Sequence, residues 1–238
     1  MLILGMDTAT PQVGVALGSE HGLVAQIRLA QGRRHAEQLA PAIEYLLREA
    51  QAQPSDLAAI AVGVGPGLFT GLRVGVTTAK VMAQALEIPV VPVPSLDLVA
   101  YPVRFTARVI AAVCDARRGE VFYSVYRTVP GGVQRAGEYR VGAPGEVAAE
   151  LVATGEDLLL VGDGISAHRQ MFEDELDRAE FASTSFAYPS PSALVELACS
   201  RYRREDFVRA SEVQPLYLRK SDAEIAWGPD RAGHEGAP

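Results

Sequence analysis

A chain of 238 residues, 48% hydrophobic and 21% charged, is long enough for one large domain or two small packed ones and too apolar to be disordered. Its 22 basic and 29 acidic residues leave a formal charge of −7, with 20 Arg against only Lys80 and Lys220 and no basic run longer than a pair, which argues against unaided nucleic-acid binding. The two cysteines, Cys114 and Cys199, are too far apart for a CxxC pair, so neither a disulfide framework nor a zinc knuckle is expected, and a reduced cytoplasmic setting fits them.

In chain order, LILGMD reads as an apolar strand ending on Asp7, Val13, Val15 and Leu17 alternate as a second strand, and LVAQIRLA after the His21-Gly22 turn reads as a third. From His35 to Ala50 the period changes: Leu39, Ile43, Leu46, Leu47 and Ala50 form one helical stripe, with Pro41 tolerable if it lies in the first turn. LAAIAVGVG is a buried strand, and a second helix runs from about Phe69 to Leu86 with Leu72, Val76, Ala79, Ala83 and Leu86 on one face. The longest uncharged stretch, from Leu57 to Leu72, is broken by glycines and by Pro66. It falls short of the about 20 apolar residues that a membrane helix needs, so no membrane association is expected. PVVPV is a short strand before a helical segment at Leu96–Tyr101.

Near Ala107 the pattern restarts. ARVIAAVCD ends on Asp115, and Val121, Tyr123 and Val125 follow it at the same offsets that Val13, Val15 and Leu17 have from Asp7, which is the mark of an internal repeat. LLLVGDG at 158–164 takes the place of AIAVGVG, and Ser190-Pro191 opens a helix reaching Tyr202. Strand–strand–strand–helix–strand–helix, occurring twice, is an α/β design with mixed sheets.

The turn from Gly63 to Arg73 lies between a strand and a helix, where free N–H groups can hold phosphate. It matches neither a Walker A loop nor a dinucleotide fingerprint. Two readings stay open: a phosphate-loop remnant formed by Asp7, Thr8, Gly65, Gly67 and Thr70, or close packing. The period-four ladder Gly71, Gly75, Ala79 favours packing. None of His21, His35, His168 and His234 pairs at metal-binding spacing; His21 reads as a turn residue, His35 as a helix-opening surface group and His234 as tail. Arg73, Arg117 and Arg118 are candidates for contacting RNA phosphate beside a partner, though solvated surface arginines are the simpler reading.

GVGPGLFTGLRVGVTTAK resembles the hallmark segment of the TsaB (YeaZ) family, a bacterial tRNA threonylcarbamoyladenosine biosynthesis subunit. The resemblance extends through MDTAT, RRHAEQLAPAIEYLL, IPVVPVPSLDLVA, CDARRGEVFYSVY and QPLYLR. It implies a two-lobed actin-like, Hsp70-like fold related to ribonuclease H, each lobe a mixed sheet flanked by helices. The expected division is an N-terminal lobe over 1–102, a C-terminal lobe over 103–225 and a mobile tail over 226–238.

The resemblance further implies a degenerate relative of TsaD, the metal-bearing transferase that moves threonylcarbamoyl to N6 of adenosine in tRNA. Where TsaD reads N-H-L-E-G-H, with two metal-binding histidines, this chain reads Pro94-Ser95-Leu96-Asp97-Leu98-Val99, and neither Ser95 nor Val99 offers an imidazole. The implied role is a non-catalytic subunit without metal or cofactor of its own, meeting ATP or ADP only in the complex. Its implied partners are TsaD as a heterodimer, the ATPase TsaE, tRNA through the complex, and a second copy of itself when alone. Leu39, Ile43, Leu46, Leu72, Val76 and Ala79 are the expected partner contacts, against the plainer reading that both stripes face the chain's own sheet. The competing functions are an ATP-dependent phosphotransferase or ATPase using Asp7, Thr8, Gly65 and Gly67, and, more remotely, a metallopeptidase.

Overall fold

The structure, a computed structural model, describes residues 1–30, 32 and 34–219. Three strands open it: β1 (Leu2–Asp7), β2 (Val13–Ser19) and β3 (Gly22–Leu29). They are followed by α1 (His35–Glu49), β4 (Leu57–Gly63), α2 (Phe69–Leu86), β5 (Val90–Val93) and the short α3 (Ser95–Ala100). The second series comprises β6 (Val109–Arg117), β7 (Glu120–Val129), β8 (Gly132–Arg135), β9 (Arg140–Gly142) and α4 (Pro144–Ala153). It ends with β10 (Leu158–Val161), α5 (Asp163–Ala167), α6 (Arg169–Glu175), β11 (Ala179–Phe181) and α7 (Pro191–Arg203).

The internal repeat is visible in the strand order. One sheet runs β3-β2-β1-β4-β5 and the other β8-β7-β6-β10-β11, with β9 paired to β7. In each, an antiparallel hairpin precedes parallel pairing with the strand before the next helix. Asp7 lies opposite Gly14 at the end of its hairpin, and Asp115 opposite Val121. β10 thus occupies in the second sheet the place β4 has in the first, as the LLLVGDG reading expected. Strands β1 and β4 are buried nearly throughout because helices cover both faces, so their sequences are continuous apolar runs.

Helices α1 and α2 cover one face of the first sheet. Leu39, Ile43, Leu46, Leu72, Val76 and Ala79 all fall in the apolar cluster formed with Leu4, Met6, Val15 and Ile60. Pro41 does not sit in the first turn: it is the seventh residue of α1, and the helix runs through it. Its ring is on the exposed side, where the carbonyl left without a donor faces water.

The division at 102 needs correction. α7 returns to the first sheet and covers its other face, Ala193, Leu194, Val195 and Ala198 packing with Ile3, Ala16 and Ala59. Glycines make that approach possible. A Cβ on Gly5 would lie 3.1 Å from Leu194 Cδ2, on Gly14 2.7 Å from Pro191 Cγ and on Gly18 2.6 Å from Val195 Cγ1. The chain stays with this lobe beyond α7: Val208 bridges Val90, and the Leu216 N–H donates to the Val64 carbonyl. Residues 191–216 therefore belong to the first lobe, and the second lobe spans roughly β6 to β11 with its own core around Val113, Leu151, Leu160 and Phe172. The expected tail over 226–238, with His234, lies outside the described residues. Among the described residues no helix is long and apolar enough to cross a membrane.

Candidate functional site

The β1–β2 loop carries the sequence Asp7-Thr8-Ala9-Thr10 and is clasped by the glycine-rich turn and the start of α2. Ser95 Oγ donates to Asp7 Oδ2 at 2.7 Å, and the Ala9 N–H donates to Asp7 Oδ1 at 3.0 Å. Thr8 Oγ1 donates to the Gly71 carbonyl at 2.7 Å, and His35 Nε2 meets the Thr10 carbonyl at 2.7 Å. His35 is thus buried and interior, not the surface group its position at a helix start suggests. Burial pushes the Asp7 carboxyl above its ordinary range, against the lowering influence of Ser95 and the Ala9 amide.

The glycines of the turn pack closely against this junction. A Cβ on Gly63 would overlap Asp7 Oδ2; on Gly67 it would meet the Ala9 carbonyl oxygen, on Gly71 the Thr8 carbonyl oxygen, and on Gly75 Thr8 Oγ1. The ladder makes room for the 7–9 loop. Three of the turn's donors are engaged within the chain: the Val64 N–H with the Val93 carbonyl, Gly65 with Ser95 Oγ at 3.1 Å, and Leu68 with the Ala9 carbonyl at 2.7 Å. Of the five residues expected as a phosphate-loop remnant, Asp7, Thr8 and Gly65 are buried and Gly67 is half-buried, and these four are brought together as a packing junction. Only Thr70 faces outward.

Thr70 lines a cavity of about 290 Å³ between the lobes, with His35 and Gly71 on one side and Arg117 and Arg118 of the β6–β7 turn on the other. Arg117 and Arg118 hold φ of 64° and 59°, a left-handed conformation that costs roughly 1–2 kcal/mol per non-glycine residue. Arg117 pairs with Asp115 at 3.0 Å and Arg219 with Glu120 at 2.8 Å. Phe69 and Tyr217 stack at 5.2 Å beside the opening, with the Arg73 guanidinium 4.9 Å from the Phe69 ring. The recess is cationic and aromatic. The nearby Cys114 thiol is buried and pushed well up by desolvation and the Asp163 carboxylate.

Asp163 titrates in an informative range. Desolvation, reinforced by neighbouring Asp115, raises it from 3.8 to about 6, although its Oδ1 accepts the Asp115 N–H at 3.0 Å. A carboxyl raised on folding binds its proton more tightly in the native state, so stability falls as pH rises from 3.8 to about 6 and is flat above. Asp163→Asn keeps the acceptor and removes the charge. It is expected to raise unfolding free energy at pH 7.5 by about 1–2 kcal/mol and to flatten that slope, as read from urea melts between pH 4 and 8.

Ser95 and Val99, the positions that match the TsaD histidines, are a hydroxyl committed to Asp7 and an alkyl group packed in the interlobe core. Among the described residues no group of three His, Cys, Asp or Glu side chains is placed to hold a metal ion.

The six residues expected at a partner face are not at the surface: Leu39, Leu46, Leu72 and Ala79 are at most 1% exposed, Ile43 is 6% and Val76 3%. They serve the chain's own core. The outward faces carry other residues. On α1 these include Glu37, Pro41, Glu44, Tyr45, Arg48 and Glu49, and on α2 Arg73, Thr77, Val81, Gln84 and Ala85. Tyr45 is 51% and Val81 60% exposed, and the two helices lie against each other. The signal was present in the sequence as a second apolar row on α2: Val74, Val81 and Ala85 at helical spacing.

The comparisons agree with this architecture. The family model described as TsaD, tRNA N6-adenosine threonylcarbamoyltransferase, matches residues 23–227. The tRNA threonylcarbamoyladenosine biosynthesis protein TsaB of Bacillus subtilis is 32% identical over 95% of this chain and 98% of its own length. That of Escherichia coli is 28% identical over 95% and 97%. Among solved structures, YeaZ from Pseudomonas aeruginosa superposes with a TM-score of 0.76 at 30% identity, covering 91% of this chain and 99% of that one. The fold is the two-lobed actin-like one, and the chain belongs to the TsaB family within the broader TsaD domain family.

Proposed function

We propose that this chain is the non-catalytic subunit of a tRNA N6-threonylcarbamoyladenosine transferase complex, binding and supporting TsaD together with the ATPase TsaE in the cytoplasm. The observation that carries the reading is the uncovered outer face of α1 and α2, where Tyr45 stands exposed beside Glu44 with the Arg48 guanidinium 5.1 Å from its ring, and Val81 stands exposed among the uncharged Thr77, Gln84 and Ala85. The non-catalytic reading is supported by Ser95 and Val99, which stand where TsaD carries imidazoles, and by Asp7 and Thr8, which face inward. A subunit of this kind acts by binding the competent state of its partner more tightly than other states. A second copy covers the same face when the partner is missing, so homodimer and heterodimer compete. ATP or ADP and tRNA meet the chain only in the assembly.

The test mixes the full chain with TsaD from the same organism and follows mass by light scattering. A 1:1 species is expected, lost on Val81→Glu and on Tyr45→Glu while both variants keep the parent melting temperature within a few degrees. Weak homodimerisation should be lost with it. A complex that survives both changes overturns the placement on these helices. Tight Mg²⁺-dependent nucleotide binding by the isolated chain overturns the non-catalytic reading.

A further inference from the structure

Helix α3 is wedged between the lobes, and each of its faces belongs to a different core. Leu98 packs with Val91, Val93 and Leu194 of the first lobe, whereas Leu96, Val99 and Ala100 pack with Ile110, Phe122 and Tyr126 of the second. The first turn is fastened to the first lobe, because Ser95 Oγ donates to Asp7 and the Ser95 N–H donates to the Gly65 carbonyl at 2.7 Å. Further along the helix, Asp97 points the other way. Its Oδ1 accepts the Tyr126 hydroxyl and the Tyr139 hydroxyl, both at 2.8 Å and both from the second lobe. Its Oδ2 faces Arg201 of α7 at 4.0 Å, and Arg201 itself donates to the Pro92 carbonyl at 2.7 Å. One mostly buried carboxylate therefore ties strand β7, the β8–β9 segment and α7 to a single helix.

We propose that Asp97, with Tyr126 and Tyr139, is a latch that fixes the angle between the two lobes and so sets the width of the cavity between Thr70 and Arg117. Apolar contact alone would not do this, since dispersion and desolvation are non-directional and let two surfaces slide. Two hydroxyls converging on one oxygen in a desolvated site fix both a distance and a direction. The consequence reaches the cavity because β7 links the two places: Tyr126 lies in the strand whose start carries Phe122, which packs in the interlobe core and also lines the cavity. A rotation of the second lobe about α3 moves the Arg117–Arg118 turn relative to Thr70. Desolvation raises the Asp97 carboxyl, as expected for an acid held in such a place by hydroxyls more than by charge. The latch is independent of the subunit role above, and each stands if the other fails.

The test measures the interlobe distance by pulsed electron resonance on the full chain carrying spin labels at Glu44→Cys on α1 and Val152→Cys on α4, diluted with unlabelled chain to remove intermolecular distances. The native Cys114 and Cys199 are buried. The parent should give one narrow distance. Tyr126→Phe/Tyr139→Phe, which keeps both rings, should broaden it and add a second, longer distance. Tyr139→Phe alone, at the more exposed of the two tyrosines, should broaden it less and guards against failure of the double variant to fold. Tyr101→Phe is the control: its hydroxyl donates to Glu196 at 2.7 Å within the first lobe, so its distribution should match the parent. Distributions for the Tyr139 variants that superimpose on the parent overturn the latch, as does equal broadening in Tyr101→Phe.

Discussion

Leu72→Glu is expected to leave the chain unfolded or aggregated at 37 °C, while Val81→Glu, further along the same helix, is expected to change stability by no more than about 0.5 kcal/mol. Leu72 is fully buried among the apolar side chains of β1, β4 and α1. An unpaired charge there either remains ionised at prohibitive cost or takes up a proton and still leaves polar oxygens without partners, a loss of more than about 4–5 kcal/mol against a typical domain stability of about 5–15 kcal/mol. The milder Leu72→Ala should cost about 2–5 kcal/mol through transfer and cavity terms. Urea denaturation followed by circular dichroism measures both. A folded Leu72→Glu chain that merely fails to bind a partner would mean that α2 turns its Leu72 face outward, contrary to the structure. The distinction matters for any binding experiment, because loss of a complex on mutating a core stripe reports loss of the fold.

Much of the architecture was legible because it is written locally. The apolar runs ending on Asp7 and Asp115 announce a repeat that reappears as two sheets with the same strand order, although β6 runs on to Arg117. Helix boundaries at Phe69 and Leu86 follow from apolar spacing and hold in the structure. What was not legible depends on distant partners. Gly5, Gly14 and Gly18 announce a close approach, but nothing near them says that the approaching element is α7, from the far end of the chain. The stripe of Leu72, Val76 and Ala79 announces a buried face without saying whether a sheet or another chain buries it. On α2 the choice was harder, since Val74 and Val81 make a second apolar row. Asp97 gave no signal, being one acid between two leucines whose hydroxyl partners lie 29 and 42 residues away. At the candidate site, the glycine ladder was readable as packing, whereas the burial of His35 and the commitment of Ser95 to Asp7 were not.

Gly71→Ala is expected to destabilise the chain by about 3 kcal/mol, the upper end of what overpacking costs, although alanine is the better helix former by about 1 kcal/mol. The added methyl would run into the Thr8 carbonyl oxygen, a backbone atom, and would press on His35 Cε1 at 3.2 Å and Nε2 at 3.3 Å. Neither neighbour can withdraw cheaply. The carbonyl belongs to a loop fixed by the Asp7–Ser95 and Thr8–Gly71 hydrogen bonds, and His35 is held by Thr10. Gly145→Ala is the matched control. It lies in the first turn of α4 with nothing within 4 Å of the new Cβ, so the same substitution there should be neutral or stabilising by up to about 1 kcal/mol. Opposite signs for the two, measured in the same urea series, would show that the first cost is steric and does not come from glycine's conformational freedom. Relief of the Gly71→Ala clash requires α2 to move off the β1–β2 loop, and that movement carries Val81 and the rest of the outer face with it. A Gly71→Ala chain that still folds should therefore lose partner affinity without any change in the surface residues themselves, whereas Gly145→Ala should bind as the parent does. Equal affinity in both would separate the position of α2 from the docking face and place the contact elsewhere on the first lobe.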